Sequence, residues 1–469
     1  MEVTCPHQKG VVMTVSLDEA IQRAGGAVPL LRNSVGGPHF VNPLPVLPAE
    51  FTNWESEQRA WRESVALMDL SHHMTDLFLR GPGALQLLSD LGVNSFANFT
   101  PGKAKQLVVC NPDGFYIGDG ILYHLPDGSF DLVGWEMMAD WVQYHLETGG
   151  YDATSERDNS SGVRKDGPPK LFRYQIQGPQ ALPVMEKVLG QSVPPVKFFH
   201  MDEFTIAGHP VHTLRHGMAA QPGFELFGPW ALGDEVLDAI LTAGKEFGMR
   251  RVGAKAYSVA NLESGWIPPT LPAVFSGEET LGFRKWVGTE TIGSLGGSLF
   301  FEEIEDYYVT PFDLGYSKNI AFDHDFVGRK ALEQVAKDPP RTKVTLVWNP
   351  EDVARVLSTH FDSTSKEPAK YINLPKARYA LYQKDEVRYE GRRVGVSMDC
   401  GLISNEKAMV SLATIDKAQS STGTRVTVLW GEVPNSAKPQ VESHVQVEIR
   451  ATVAPAPYPE IARRVYRDR

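Results

Sequence analysis

The run Lys337-Asp338-Pro339-Pro340-Arg341 divides a chain of 469 residues into two parts with different periodicities. Beyond it, strand-like segments recur at 343–348, 392–398, 409–415, 425–430 and 445–453, and Gly391 and Asn435-Ser436 are among the turn residues punctuating them. Short strands at that spacing predict a small sandwich or barrel. Before the break, helical and strand periods both occur, so the earlier part reads as α+β. A second polar stretch, 154–169, holds almost nothing that could be buried and predicts an exposed connection with a boundary near residue 168. At roughly 100 to 200 residues per domain the length allows two to four cores. The two breaks favour three.

Within the first part, Ser16-Leu17-Asp18-Glu19 has the spacing of a capping box and Gly25-Gly26 would end the helix it starts. Residues 35–48 are rich in Gly, Pro and Asn and predict a loop that borders a pocket, and 54–67 carries apolar residues at helical spacing. Strands are expected at 75–79, 106–109, 121–123 and 130–133. After the polar stretch come a strand at 172–176, a helix near 180–189 and strands at 204–206 and 210–214. A helix at 235–247 follows, its Val236, Ile240, Ala243 and Phe247 forming one stripe and Gly248 standing as C-cap.

The net charge is −11 and Lys and Arg are scattered, so neither nucleic acid nor an anionic membrane surface is an expected partner. No window approaches about 18 uninterrupted apolar residues, and the N-terminal segment lacks an apolar h-region, which leaves membrane spanning and secretion without support. Cys5, Cys110 and Cys400 are widely separated, with no C-x-x-C spacing, and fit a reducing cytoplasm.

The densest chemistry lies in 254–266, which contains Tyr257 and Trp266, and in Gly223-Phe224-Glu225 before it. A carboxylate such as Glu225 can accept paired hydrogen bonds from the amide and amine edge of a pterin, while Trp266 offers a face for stacking and Tyr257 an acid. The same residues also occur in ordinary cores. His72-His73 are adjacent, so if the chain is extended there only one can face a site; His73 is either a hydrogen-bonding group for a phenolic oxygen or a structural histidine. Asp119 between Gly118 and Gly120 reads as a carboxylate on a tight bend, with turn stabilisation its default role. The glycine-rich run 293–298 matches neither a P-loop nor a dinucleotide fingerprint. H-E-x-x-H and G-x-S-x-G are both absent.

Four segments in order resemble the aminomethyltransferase (glycine cleavage T-protein) superfamily: Gly223-Phe224-Glu225, Asn261-Leu262-Glu263-Ser264-Gly265, the run 326–332, and Val394-Gly395-Val396 with 409–415. The resemblance implies a three-domain cloverleaf. In it, residues 20–168 with 255–336 form a folate-binding α+β domain, 169–254 a second α+β domain, and 340–458 an all-β domain, barrel or jelly-roll-like. Where the T-protein carries its catalytic aspartate this chain has Gly118, just before Asp119, so aminomethyl transfer is not expected.

A nearer resemblance is to the bacterial tetrahydrofolate-dependent aryl O-demethylases of vanillate, 3-O-methylgallate and syringate. It rests on segments such as Ser71-His72-His73-Met74, Ile117-Gly118-Asp119-Gly120 and Glu305-Asp306-Tyr307-Tyr308, and it runs from about residue 20 to 458. It implies Tyr257 as the proton donor to the ether oxygen, Gln175, Phe198, Glu225 and Trp266 at tetrahydrofolate, and no metal; His73 is the second catalytic candidate. His73, Leu70 and Trp135 would face the aromatic acid. The vanillate enzyme has an arginine where this chain has Trp135 and a glutamine where it has Leu70, and its loop tyrosines are replaced by His39, Phe40, Val41 and Asn42. Both pocket changes remove polarity, and a second methoxy group suits a less polar wall, so syringate is the expected substrate. Vanillate or 3-O-methylgallate, and folate binding without demethylation, are the alternatives.

Overall fold

The computed structural model describes residues 15–34, 46–268, 270–364, 367–378, 380–432, 438–439 and 441–464. The predicted loop residues His39 to Asn42 and the turn Asn435-Ser436 lie outside these. The chain opens with the helix Leu17–Ala24, capped by Ser16, whose side chain accepts from the Glu19 N–H, and ended by Gly25 in the left-handed region. The Ser16 half of the capping box therefore folds as read, while the Glu19 carboxylate pairs with Arg23 instead.

Two large sheets lie among the described residues before residue 337. The first is antiparallel throughout, in the order Lys103–Cys110, Tyr116–His124, Phe130–Gly134, Thr75–Arg80, Thr154–Asp158. The helices Ala84–Leu91 and Glu136–Thr148 contribute their buried faces to the same core. The polar stretch read as an exposed connection begins with its edge strand: Thr154–Asp158 pairs with Thr75–Arg80, and Asp158 is buried at its end. Exposed polar side chains are compatible with an edge strand, which needs only one face and one ladder covered.

The second sheet has the order Arg250–Val252, Ala66–Asp69, Leu171–Gln177, Gly223–Pro229, His209–Arg215, Met201–Ile206. Helices Ala181–Leu189 and Gly233–Gly244 cover one face of it around Phe172, Ile176, Val184 and Ile240. Gly248 ends the following 3-10 turn with φ 69°, the expected C-cap. Helical spacing overran one element: the helix begun at Trp54 ends at Glu63, and Ala66–Asp69 becomes a strand between Leu171–Gln177 and Arg250–Val252. A continuous apolar run such as Val65 to Met68 fits either a buried strand or a buried helix face, and pairing on both edges decides it here.

Beyond residue 340, six strands close on themselves. In ring order they are Arg392–Ile403, Asp385–Tyr389, Arg425–Trp430, Val447–Ala454, Arg341–Trp348 and Ala408–Asp416, and a pairing between Ala408–Asp416 and Arg392–Ile403 completes the ring. A short strand, Lys376–Ala377, adds to the ring strand Arg392–Ile403. The expected barrel is present, with Trp348, Val428, Trp430 and Ile449 in its core. The helix Pro350–Ser358, capped by Asn349, was not foreseen in a region read as nearly all-β. The glycine-rich run 293–298 is structural: Leu295-Gly296 pairs with Tyr382-Gln383, and Gly297, with φ 110°, lies against the Lys384 backbone. No helix among the described residues is long and apolar enough to cross a membrane.

Candidate active site

Tyr257 ends the short helix Ala254–Tyr257, which starts at Gly253; the Gly253 N–H donates to Glu57 Oε2 at 2.9 Å. His73 lies between the strands Ala66–Asp69 and Thr75–Arg80, from the two different sheets. Their side chains meet: Tyr257 Oη and His73 Nε2 are 2.8 Å apart, with the rings edge to face. His73 Nδ1 is 2.9 Å from the Leu70 carbonyl oxygen. A carbonyl only accepts, so Nδ1 carries the proton in neutral His73, Nε2 presents a lone pair, and the Tyr257 hydroxyl donates to it. Burial holds the His73 pKa down to about 4, against a partial offset from the Leu70 carbonyl, so the ring is neutral near pH 7. Burial, reinforced by the nearby Glu225 charge, holds the Tyr257 hydroxyl well above the usual tyrosine range. His72 turns away, bonding Ser161 Oγ at 2.8 Å and packing edge-on against Trp230.

This pair opens on a cavity lined by Met74, Trp135, Met218 and Pro268 as its apolar wall and by Asn373, Lys376 and Arg378 as a polar one. Trp135 thus lies in the cavity wall. Leu70 does not line it: its side chain is in the core, and its contribution is the carbonyl that fixes the tautomer of His73. The apolar side chain at that position therefore lies behind His73 rather than on the pocket wall. The loop residues His39, Phe40, Val41 and Asn42, expected to border the pocket, are outside the described residues.

A second cavity adjoins the first, and Met74, Met218 and Trp266 line both. Phe198, His216 and Tyr316 are among its other walls. Trp266 is presented by a sharp helix end: Ala260–Ser264 stops at Gly265, φ 69°, where a Cβ would come within 2.9 Å of the Pro457 backbone. Its indole Nε1 is 3.0 Å from Asp119 Oδ2 and 3.0 Å from Tyr316 Oη, which locks the ring plane. Asp119 is therefore not on a bend. Gly118-Asp119-Gly120 lies inside the strand Tyr116–His124, and the carboxylate is buried among Tyr116, Gln106 and Trp266. The flanking glycines are needed for packing: a Cβ on Gly118 would lie 2.8 Å from Met138 Cβ, and one on Gly120 would lie 2.6 Å from the Val133 carbonyl oxygen.

Gln175 and Glu225 are cross-strand partners in the second sheet and are almost fully buried. Both hydrogen bonds of Glu225 fall on Oε1, from Tyr123 Oη and from Arg173 Nη1. Burial raises its pKa most, but Arg173, His216 and the Tyr123 hydroxyl together outweigh that and hold the carboxyl below its ordinary value. The Gln175 amide is buried with neither its Oε1 nor its Nε2 hydrogen-bonded. An orphaned buried amide beside a carboxylate matches a ligand that both donates and accepts, as a pterin edge does. Of the four residues expected at folate, Phe198 and Trp266 line the second cavity and Gln175 and Glu225 form a buried polar pair on strands of the second sheet.

Arg173, Tyr123, Asp76 and Asp131 complete a buried charged cluster around Glu225 that the sequence reading did not single out. A signal existed: in Phe172-Arg173-Tyr174-Gln175-Ile176-Gln177 every second residue is polar, so a strand inside a sheet turns one polar row toward the first sheet. Asn373, Lys376 and Arg378 carried no such signal. Among the described residues, no group of three or more His, Cys, Asp or Glu is arranged to hold a metal ion.

The model of the GCVT N-terminal domain matches residues 40–269. A syringate O-demethylase of a Sphingobium species is 45% identical over 461 residues, 97% of this chain and 98% of that protein. A sesamin methylene transferase of a Sinomonas species is 31% identical, over 88% of this chain and 90% of its own length. Among solved structures, the glycine cleavage system aminomethyltransferase T of Bartonella henselae superposes with a TM-score of 0.59, covering 88% of this chain and 92% of its own at 19% identity. That likeness establishes the three-part α+β and barrel architecture.

Proposed function

This chain belongs to the aminomethyltransferase-fold family that includes syringate O-demethylase, and from that premise we propose that it is a tetrahydrofolate-dependent O-demethylase of methoxylated aromatic acids, with syringate as its substrate and 3-O-methylgallate and 5-methyltetrahydrofolate as products. The observation that carries the reading is the Tyr257–His73 pair, which opens on an apolar cavity adjoining a second cavity with Phe198 and Trp266 in its walls.

Bound tetrahydrofolate would supply N5 as methyl acceptor and give up the proton that balances the phenol formed. Gln175, Phe198, Glu225 and Trp266 are the residues proposed to hold it, Gln175 through the amide that otherwise lacks partners. The chain's own chemical task is at the ether oxygen. An aryl methyl ether leaves as a phenolate, which is a poor leaving group until its oxygen is protonated or strongly hydrogen-bonded. Tyr257, kept protonated by burial and by Glu225, turns its hydrogen from His73 to that oxygen. His73 Nε2 is left with a lone pair directed at Tyr257 and orients the phenol for its return. The remaining acceleration comes from holding methyl donor and acceptor in line across the shared wall of Met74, Met218 and Trp266.

The test is product analysis after incubating the purified protein with tetrahydrofolate and either syringate or vanillate. Loss of syringate with equal formation of 5-methyltetrahydrofolate, faster than with vanillate, is the expected outcome. Faster vanillate turnover would keep the chemistry and reject syringate, and folate binding with no turnover of either would reject demethylation.

A further inference from the structure

The cavity at Tyr257 has a polar wall that the methyl transfer does not use. Lys376 and Arg378 precede the barrel strand Arg392–Ile403, and Lys376–Ala377 pairs with its Gly401 and Cys400. Asp399, 1% exposed and on the same strand, accepts from Lys376 Nζ, from Arg378 Nη2 at 3.0 Å and from Asn261 Nδ2 at 2.6 Å. Two cations thus share one carboxylate, and among the described residues none lining the cavity is acidic. The hydrogen bond of Arg378 falls on Nη2; its Nε is buried and has no hydrogen-bond partner. A buried N–H and a surplus positive charge are both costly to leave unanswered, and one carboxylate entering the cavity answers both. A guanidinium fork suits a carboxylate better than an ammonium does, because it offers paired, coplanar donors. Asp399 holds the Arg378 fork and Lys376 from behind.

We infer that Arg378, with Lys376 beside it, binds the carboxylate of the aromatic acid. The inference rests on the demethylase reading for the identity of that acid. It also accounts for the tolerance of Trp135 in the cavity wall: the anion is received by the barrel side, and the apolar wall is left for the ring and its methoxy groups.

The test uses the full chain and binding rather than turnover as its primary readout. Syringate and 2,6-dimethoxyphenol, which keeps the ring and both methoxy groups but lacks the carboxylate, are titrated against wild type and Arg378→Met by quenching of intrinsic tryptophan fluorescence, Trp135 and Trp266 both lining the cavity. The expected result is an affinity for syringate lowered about ten- to hundredfold in the variant, with the affinity for the neutral phenol within about twofold of wild type. Unchanged phenol binding also reports that the variant is folded, and Arg378→Lys, which keeps the charge but loses the fork, is expected to fall between the two. Syringate affinity unchanged in Arg378→Met, or equal losses for acid and phenol, would overturn the inference. Wild-type binding of syringate without demethylation would instead overturn the proposed reaction and leave the carboxylate site standing.

Discussion

Tyr257 and His73 are 184 positions apart in the chain and are joined by one hydrogen bond. Replacing Tyr257 by Phe removes the only group proposed to stabilise the departing oxygen, so turnover should fall by about 10²- to 10⁴-fold while syringate binding changes little; initial rates alongside fluorescence titration check this. His73 makes a pH prediction. Its folded pKa of about 4 lies below its ordinary 6.5, so between these values the unfolded chain binds a proton that the folded one refuses. The stability held by neutral His73 is therefore complete above pH 6.5 and is lost as pH falls toward 4. The midpoint of thermal unfolding should drop more from pH 7 to pH 5 in wild type than in His73→Gln; equal drops would contradict the assignment. Both residues were visible in the sequence as candidates. The direction of their hydrogen bond was not, because it depends on the Leu70 carbonyl.

The strand Tyr116–His124 shows how an element can mislead at the level of residue type. Glycines on both sides of an aspartate read as a bend, yet here they let the helix Glu136–Thr148 and the strand Phe130–Gly134 approach closely enough to bury Asp119 beneath Trp266. Gly120→Ala would set a methyl against the Val133 carbonyl, a backbone atom that cannot swing aside. It should destabilise the protein by about 1–3 kcal/mol, measured as a lower urea midpoint with unchanged slope. The same logic explains the helix 54–67 and the connection 154–169, each partly misread. Local period cannot tell a strand buried on both edges from a helix, nor an edge strand from a solvated loop, when the partner strands come from distant segments.

At the scale of the whole molecule, Glu263 joins elements from different parts of the chain. Buried and adjoining the candidate site through Asn261 and Trp266, it accepts from Trp61 Nε1 at 3.2 Å, Arg62 Nη2 at 2.6 Å and Asn405 Nδ2 at 3.0 Å. Gln58, on the same helix as Trp61 and Arg62, bonds the Ser404 N–H at 2.9 Å. The helix Trp54–Glu63 is thus tied to the end of the barrel strand Arg392–Ile403, which also bears Asp399. Glu263→Ala would strand the indole and part of the guanidinium. Because Arg62 keeps Glu406, the cost should be about 2–3 kcal/mol, and denaturant unfolding followed by tryptophan fluorescence is expected to broaden or split as the barrel loosens from the rest.

Periodicity, caps and turn residues determined many of the helices and strands, where the β-rich part begins and which side chains could carry chemistry, since these follow from interactions among near neighbours in the chain. Tertiary structure alone decided that Tyr257 meets His73, that Leu70 contributes a carbonyl rather than a wall, that Asp119 holds Trp266, and that Lys376 and Arg378 reach the same cavity from the barrel. Except for the Leu70 carbonyl, which acts on His73 three residues on, each of those relations joins segments far apart in the chain. Their physical cause is the burial of faces against partners that no local window of sequence contains.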